Sequence, residues 1–381
     1  MKNCIRPPVT ILALLLLLPG GVVAQPPANG DIHAILKNRL WREDLGIGIV
    51  AGVIDGTGRR VESFGGLAKN DKRPLNGDTV FEIGSITKEF TSLLLTDMAR
   101  RGEVALTDPV AKFLPPGVTM PERAGRQITL ADLSTHSSGL PRMPSNFNPK
   151  DSANPYVDYS VQDLYAFISG HQLTRDIGSR YEYSNVGVGL LGHVLSLRAG
   201  MSYEALVRAR ILEPLGMRDT AITLTPSMKS RLAVGHAESQ RTPQNPYGVT
   251  AVANWDIPTL AGGGALRSTV NEMLTFLAAN LGYIKTPLAG AMADQIATRR
   301  PSDNPGFEVG YGWRIQNRFG STIVWHGGAT GGYRSYIGFD PQARVGVIVL
   351  SNVLMPLVDD IGPHLLNSRY PLSNGSPFDG K

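Results

Sequence analysis

A serine hydroxyl is a weak nucleophile unless a base or a cation stands beside it. In Ser85-Ile86-Thr87-Lys88 a lysine follows a serine at the spacing that puts both side chains on one helix face, one turn apart. No other serine in the chain has a lysine three residues on. Lys88 offers either a neutral base or a cation that favours the alkoxide, and a helix start adds partial positive charge and free backbone N–H groups. The same four residues also fit an N-cap serine followed by a solvated lysine, so the spacing alone leaves both readings open. The Gly-x-Ser-x-Gly elbow of α/β-hydrolases is absent.

Two further segments carry chemistry. Tyr183-Ser184-Asn185 follows the polar turn Gly178-Ser179-Arg180. A phenol becomes a base near neutral pH only if cations lower its pKa, which Lys88 would do if the two face each other. Asn185 has both a donor and an acceptor for a substrate amide; the structural alternative is a buried tyrosine with an asparagine helix cap. Trp325-His326-Gly327-Gly328-Ala329-Thr330-Gly331-Gly332 sits between two β-rich runs. Its glycines suit close backbone approach by a ligand along an edge strand, or a Gly-rich hairpin loop with a surface histidine. Arg334, just beyond, is either a carboxylate binder or a structural residue. The other histidines (His33, His136, His171, His193, His236 and His364) show no metal-ligand spacing and are read as structural.

Elements to position these residues are legible around them. The pattern predicts a helix over Asp31–Arg42, a strand over Ile47–Ile54 ended by Asp55-Gly56, and a partner strand over Arg60–Phe64. A helix is predicted from Ser85 to Arg101, with Gly102 placed for a left-handed cap. Thr129 with Asp132 and Ser160 with Asp163 read as capping boxes, and 141–159 as a surface loop. Further helices are predicted over Val186–Arg198, Tyr203–Leu212 and Val270–Asn280. Strands follow over Ser321–Trp325, Arg334–Phe339 and Val345–Leu350, then a last helix over Met355–Asn367. The end segments have little to pair with except each other. The expected fold is therefore α+β: one antiparallel sheet built from both ends of the chain (about 31–80 and 308–368), with a mainly helical insertion (about 85–280) and a cleft between them.

Residues 1–24 read as an export signal. Lys2 and Arg6 precede the apolar run Val9–Leu18, Pro19-Gly20-Gly21 breaks it, and Val22-Val23-Ala24 offers a cleavage site before Gln25. The mature unit is then 25–381, with net charge falling from +5 to +3 as Lys2 and Arg6 leave. Cys4 is the single cysteine and lies in that leader, which rules out a cysteine nucleophile in the mature chain. With mild charge and no basic cluster interleaved with aromatics, nucleic acid is a poor partner. The expected product is a periplasmic or secreted monomer with no membrane span, needing no cofactor and no metal.

In order and separation, Ser85-x-x-Lys88, Tyr183-x-Asn185 and His326-x-Gly328 resemble the penicillin-recognising serine hydrolases, closest to class C β-lactamases with the related DD-peptidases and esterases. Leu133–Pro141, Gly262–Ser268 and Tyr336–Pro341 have the same family look, and the resemblance runs from about residue 31 to 368. It implies a β-lactamase/transpeptidase-like fold with Ser85 as acylated nucleophile, Lys88 as its proton partner, and Tyr183 as base for attack and acid for the leaving group. Backbone N–H groups of Ser85 and Ala329 would form the oxyanion hole. Asn185 would hold the substrate's amide side chain, and the strand with His326 and Gly328 its carboxylate and backbone. The implied substrate is a β-lactam or a D-Ala-D-Ala peptide, the keywords antibiotic resistance and penicillin binding. The leading activity is β-lactam hydrolysis; DD-carboxypeptidase or endopeptidase action, a short-chain esterase and a non-catalytic β-lactam sensor are the alternatives. One departure stands out: His326 occupies the place where class C β-lactamases usually have lysine. A titrating histidine there predicts acylation that varies more steeply with pH than in a lysine-bearing relative.

Overall fold

The computed structural model describes residues 26–40, 45–71 and 73–373; the expected leader lies outside the described residues. Strands β1 (Gly48–Asp55) and β2 (Gly58–Gly65) form the expected hairpin. Its turn is closed by Asp55 Oδ1, which accepts from the backbone N–H and the hydroxyl of Thr57 at 2.8 and 2.6 Å. Six later strands join them: β3 (Arg300–Pro301), β4 (Phe307–Val309), β5 (Arg314–Arg318), β6 (Ser321–Ala329), β7 (Arg334–Asp340) and β8 (Val345–Ser351). They make one eight-stranded sheet ordered β2-β1-β8-β7-β6-β5-β4-β3, each neighbouring pair antiparallel. β1 and β8 pair from Ile49↔Ser351 to Ile54↔Gly346, joining the two ends of the chain as the sequence implied.

Both faces of this sheet are covered, which is why β1 and β8 read as unbroken apolar runs rather than alternating ones. On one face Ile49, Ala51, Val53, Val347 and Val349 pack with Ile32, Leu36 and Leu40 of helix α1 (Asn29–Leu40). On the other, Val50, Ile54, Ile348 and Leu350 join the larger core. That core takes in helix α2 (Thr87–Arg100), helix α3 (Asn185–Ala199) and helix α4 (Val270–Asn280). α2 is buried continuously from Thr87 to Met98, polar residues included. Both capping boxes form. Gly200 closes α3 at φ +65° and Gly102 follows α2 at φ +70°.

Three elements of the fold depart from the sequence reading outside the Ser85 turn and the unpredicted strands β3 to β5. The last helix, α5, spans only Ile361–Leu366 instead of Met355–Asn367. Pro356 disfavours a helical Met355, and the Arg39 side chain takes the Leu357 carbonyl (2.5 Å) and the Asp360 carboxylate (2.7 Å). The helix opened by Ser202 is α-helical only to Val207 and becomes a π-turn over Arg208–Leu212. Pro214 accounts for this, since it lacks an N–H and its ring crowds the carbonyl four residues back. Finally, β6 extends to Ala329, so His326, Gly327 and Gly328 belong to a strand and not to a hairpin loop.

Candidate active site

Ser85 sits in a single 3-10 turn, Gly84–Ile86, that feeds α2. Gly84 has φ +52°, and a β-carbon there would stand 2.7 Å from the Ala329 backbone nitrogen, so only glycine lets the turn lie against the end of β6. Ser85 is not a helix cap: α2 starts from Ile86 with no side-chain capping bond. Instead Lys88 Nζ donates to Ser85 Oγ at 3.0 Å and to the Gly263 carbonyl at 2.6 Å. Lys88 is fully buried. Burial first, then the nearby Arg142 and Arg314 cations, push its pKa down to about 7. An amine in this state is available to accept a proton near neutral pH.

Tyr183 is held by the helix start that follows it. Ser184 caps α3, accepting from Gly187 N–H at 2.9 Å while its hydroxyl donates to the Pro141 carbonyl at 2.6 Å. Its N–H donates to His136 Nδ1 at 3.1 Å. Ser184, not Asn185, is thus the cap. Lys88 Nζ lies 4.9 Å from the Tyr183 ring centre, and the rings of His136 and His326 lie 4.6 and 6.1 Å away. The phenol's pKa is pushed up to about 12, because its desolvated surroundings outweigh the Ser85 hydrogen bond and the charges of Arg142 and Arg314. This corrects the expectation of a phenol poised as a base; at neutral pH it carries its proton. Asn185 Nδ2 points at the Met143 sulfur (3.6 Å), and its buried Oδ1 has no hydrogen-bond partner.

β6 is interior to the sheet, between β5 and β7, rather than an edge strand. Its pairing with β5 stops at Arg314↔Trp325, while pairing with β7 continues through Ala329↔Arg334. Residues 326–329 therefore overrun β5, and their edge on that side is left without a β5 partner. His326 is 3% exposed and sends Nδ1–H to the Gly327 carbonyl at 2.7 Å. Burial, Arg314 and Lys88 hold its pKa well below the usual imidazole range. That direction favours the neutral ring, and the group whose pKa is brought near neutral pH is Lys88 instead.

The cations around Tyr183 are arginines that sequence reading missed. The guanidinium of Arg142 lies 5.0 Å and that of Arg314 5.8 Å from its ring centre. Among the described residues neither has a carboxylate partner; Arg314 donates to Tyr181 Oη at 3.2 Å. Arg142 directly follows Leu133–Pro141, so that segment was the available signal, whereas Arg314 lies on a strand that the pattern did not reveal. Arg334, a candidate carboxylate binder by sequence, is bound through Nε to Asp359 at 2.8 Å and through Nη2 to its other oxygen.

These groups meet in a cleft of about 650 Å³. Ser85, Tyr183, Asn185, His326, Gly328 and Ala329 all line it, and Lys88 lies beneath, reaching Ser85 from the core. Over residues 38–366 the sequence matches the family model described as Beta-lactamase. The chain belongs to the β-lactamase family.

Its relatives include peptidases and β-lactamases. The D-alanyl-D-alanine-carboxypeptidase/endopeptidase AmpH of Escherichia coli is 31% identical over 348 residues, 86% of this chain and 85% of the relative. A β-lactamase of Escherichia coli is 25% identical over 386 residues, 91% and 95% of the two chains. A class C β-lactamase from Rhodobacter sphaeroides shares the fold, with a TM-score of 0.73 at 24% identity over 89% of this chain and 98% of that one. This β-lactamase-family chain is thus a serine hydrolase of amide bonds. Among the described residues, no group of three or more His, Cys, Asp or Glu is placed to hold a metal ion. None of their helices is long and apolar enough to cross a membrane.

Proposed function

We propose that this chain hydrolyses β-lactams through an acyl-enzyme on Ser85. The observation that carries the reading is the buried Lys88 amine, 3.0 Å from Ser85 Oγ and held near pKa 7. Neutral Lys88 takes the hydroxyl proton as Oγ attacks the lactam carbonyl. The developing oxyanion is met by the backbone N–H groups of Ser85 and Ala329, brought together by the Gly84 contact. As the C–N bond breaks, Tyr183 gives its proton to the leaving nitrogen and recovers one from Lys88. Water then releases the acyl group by the reverse path. Asn185 Oδ1 receives the amide N–H of the substrate side chain, and the free edge at Gly328 lies along its backbone. Arg142 and Arg314 supply the positive charge for its carboxylate, the role that the family resemblance implies for the strand with His326 and Gly328.

A second reading, a DD-carboxypeptidase or endopeptidase, uses the same nucleophile on D-Ala-D-Ala termini. It is favoured by the 31% identity to AmpH and by histidine at 326 in place of lysine. A short-ester esterase fits less well, since a neutral ester leaves the two arginines without an anion. Export to the periplasm, cleavage before Gln25, a monomeric state and a part in antibiotic resistance belong to the same proposal and are supported by the leader-like sequence and the kind of relatives.

The test is a parallel assay of the mature protein on a chromogenic cephalosporin, a D-Ala-D-Ala peptide and a nitrophenyl ester, with Ser85→Ala as control. Mass spectrometry follows the acyl adduct. Fast cephalosporin turnover with no lasting adduct is the expected result. A stable adduct alongside peptide cleavage moves the assignment to the peptidase. Activity retained in Ser85→Ala overturns both.

A further inference from the structure

Beneath the cleft, Glu89 of α2 and His326 of β6 face each other. Glu89 is 0% exposed, and neither carboxyl oxygen has a hydrogen-bond partner. Side chains one residue apart on a helix diverge, so Glu89 does not follow its neighbour Lys88 toward Ser85. The group opposite is His326 Nε2, 4.0 Å from Glu89 Oε1. The imidazole's Nδ1–H is committed to the Gly327 carbonyl, which leaves Nε2 as the free ring nitrogen, also buried and without a partner.

We infer that Glu89 is the positioning partner of His326: the two share one proton, and that bond ties the helix carrying Ser85 and Lys88 to the strand carrying Gly328 and Ala329. An ionised carboxylate with no hydrogen bond in a dry site is costly, and a bare imidazole lone pair turned toward it is repelled. One proton removes both problems. The charged and titratable groups packed around the pair are Lys88 of α2, Arg314 of β5, His136, Tyr183 and Arg142. The Glu89 pKa lies well above the usual carboxyl range, chiefly through burial, and that of His326 well below the imidazole range for the same reason. The proton therefore rests on the carboxyl and is donated to Nε2. Closing the gap to hydrogen-bond length takes a side-chain shift of about 1 Å. His326 thus acts as a neutral strut, and Glu89, which touches no substrate, fixes its ring and through it the strand end at the oxyanion site.

The inference rests on the Ser85 reading for its functional consequence but not for its structural one, and the experiment separates them. Nitrogen NMR of the ¹⁵N-histidine protein, with His326 assigned from His326→Gln, reports the tautomer directly. From about pH 5.5 to 8.5 His326 should remain neutral and Nδ1-protonated, with Nε2 shifted as a hydrogen-bond acceptor. Glu89→Leu should move the Nε2 signal and lower kcat by about 100-fold, with little change in KM, on whichever substrate the parallel assay shows to be turned over. Glu89→Gln, whose amide N–H also donates to Nε2, should restore most of the loss. An Nε2-protonated ring, a titration near the unperturbed value of about 6.5, or an Nε2 signal unmoved in Glu89→Leu overturns the pairing. The wild-type spectrum decides the tautomer even if the leucine variant does not fold, and it is unaffected by which amide the enzyme cleaves.

Discussion

A β-carbon on Gly328 would stand 2.1 Å from the carbonyl oxygen of Ile83, so the Gly328 end of β6 and the chain just before the Ser85 turn touch backbone to backbone. The Ser335 hydroxyl, on β7, donates to the same carbonyl at 2.9 Å and leaves it no room to retreat. Gly328→Ala should push the strand end away from Ser85 and spoil the oxyanion site. The expected result is a loss in kcat of about 100- to 1000-fold, the usual value of one oxyanion donor. Steady-state kinetics beside circular dichroism checks this; near-normal turnover in a folded alanine variant would contradict it.

Lys88 sets the pH dependence. With its pKa pushed down to about 7, the amine is protonated and unable to accept a proton below that value, and free to do so above it. The acylation rate should rise about tenfold per pH unit below 7 and level off above. Arg142 is the larger of the two charges depressing this pKa, so Arg142→Gln should move the inflection upward, toward an ordinary lysine. His326→Gln should leave its position nearly unchanged. Stopped-flow acylation between about pH 5.5 and 9.5 measures all three; an inflection that follows His326 would refute the assignment.

Arg142 and Arg314 predict a preference for anionic substrates. A hydrogen bond to a charged group contributes about 1.5–3 kcal/mol, so Arg314→Gln should raise KM for a carboxylate-bearing substrate by about 10- to 100-fold. KM for a neutral ester of similar size should barely change. The comparison is made at about pH 9, where Lys88 is neutral in both proteins and its altered pKa drops out. Equal effects on both substrates would remove the arginines from carboxylate recognition.

Asn352 is a stability prediction away from the chemistry. It is fully buried at the end of β8, where Oδ1 accepts from Gly48 N–H at 2.6 Å. Its Nδ2 donates to the carbonyls of Gly46, Leu67 and Val234 at 3.0, 3.1 and 2.9 Å. Asn352→Ala leaves several buried backbone groups unpaired, each costing about 1–3 kcal/mol. Urea unfolding should show a loss of at least about 3 kcal/mol while kcat of the folded fraction is retained.

Much of this protein is local and was therefore readable. Thr129 with Asp132 and Ser160 with Asp163 close their capping boxes because the partners are three residues apart. Ser85 and Lys88 meet because a helical turn brings them together. The hairpin at Asp55-Gly56 and the limits of Val270–Asn280 follow from patterns only a few residues long. The last helix was overextended because Arg39, more than 300 residues away in sequence, takes the Leu357 carbonyl that a helix would have used.

The residue types at Ser85, Lys88, Tyr183, Asn185 and His326 were enough to name the family and to propose a nucleophile with its proton partners. What the sequence could not carry is the protonation of those groups. Tyr183 keeps its proton because burial outweighs the nearby arginines, whereas burial and those arginines together bring Lys88 near to losing its own, and burial with Arg314 and Lys88 holds the His326 pKa well below the usual imidazole range. A pKa depends on the local dielectric and on charges within a few ångströms, and both are set by the packing of the whole chain. Sequence spacing states which groups are present; only the folded core decides which of them hold a charge.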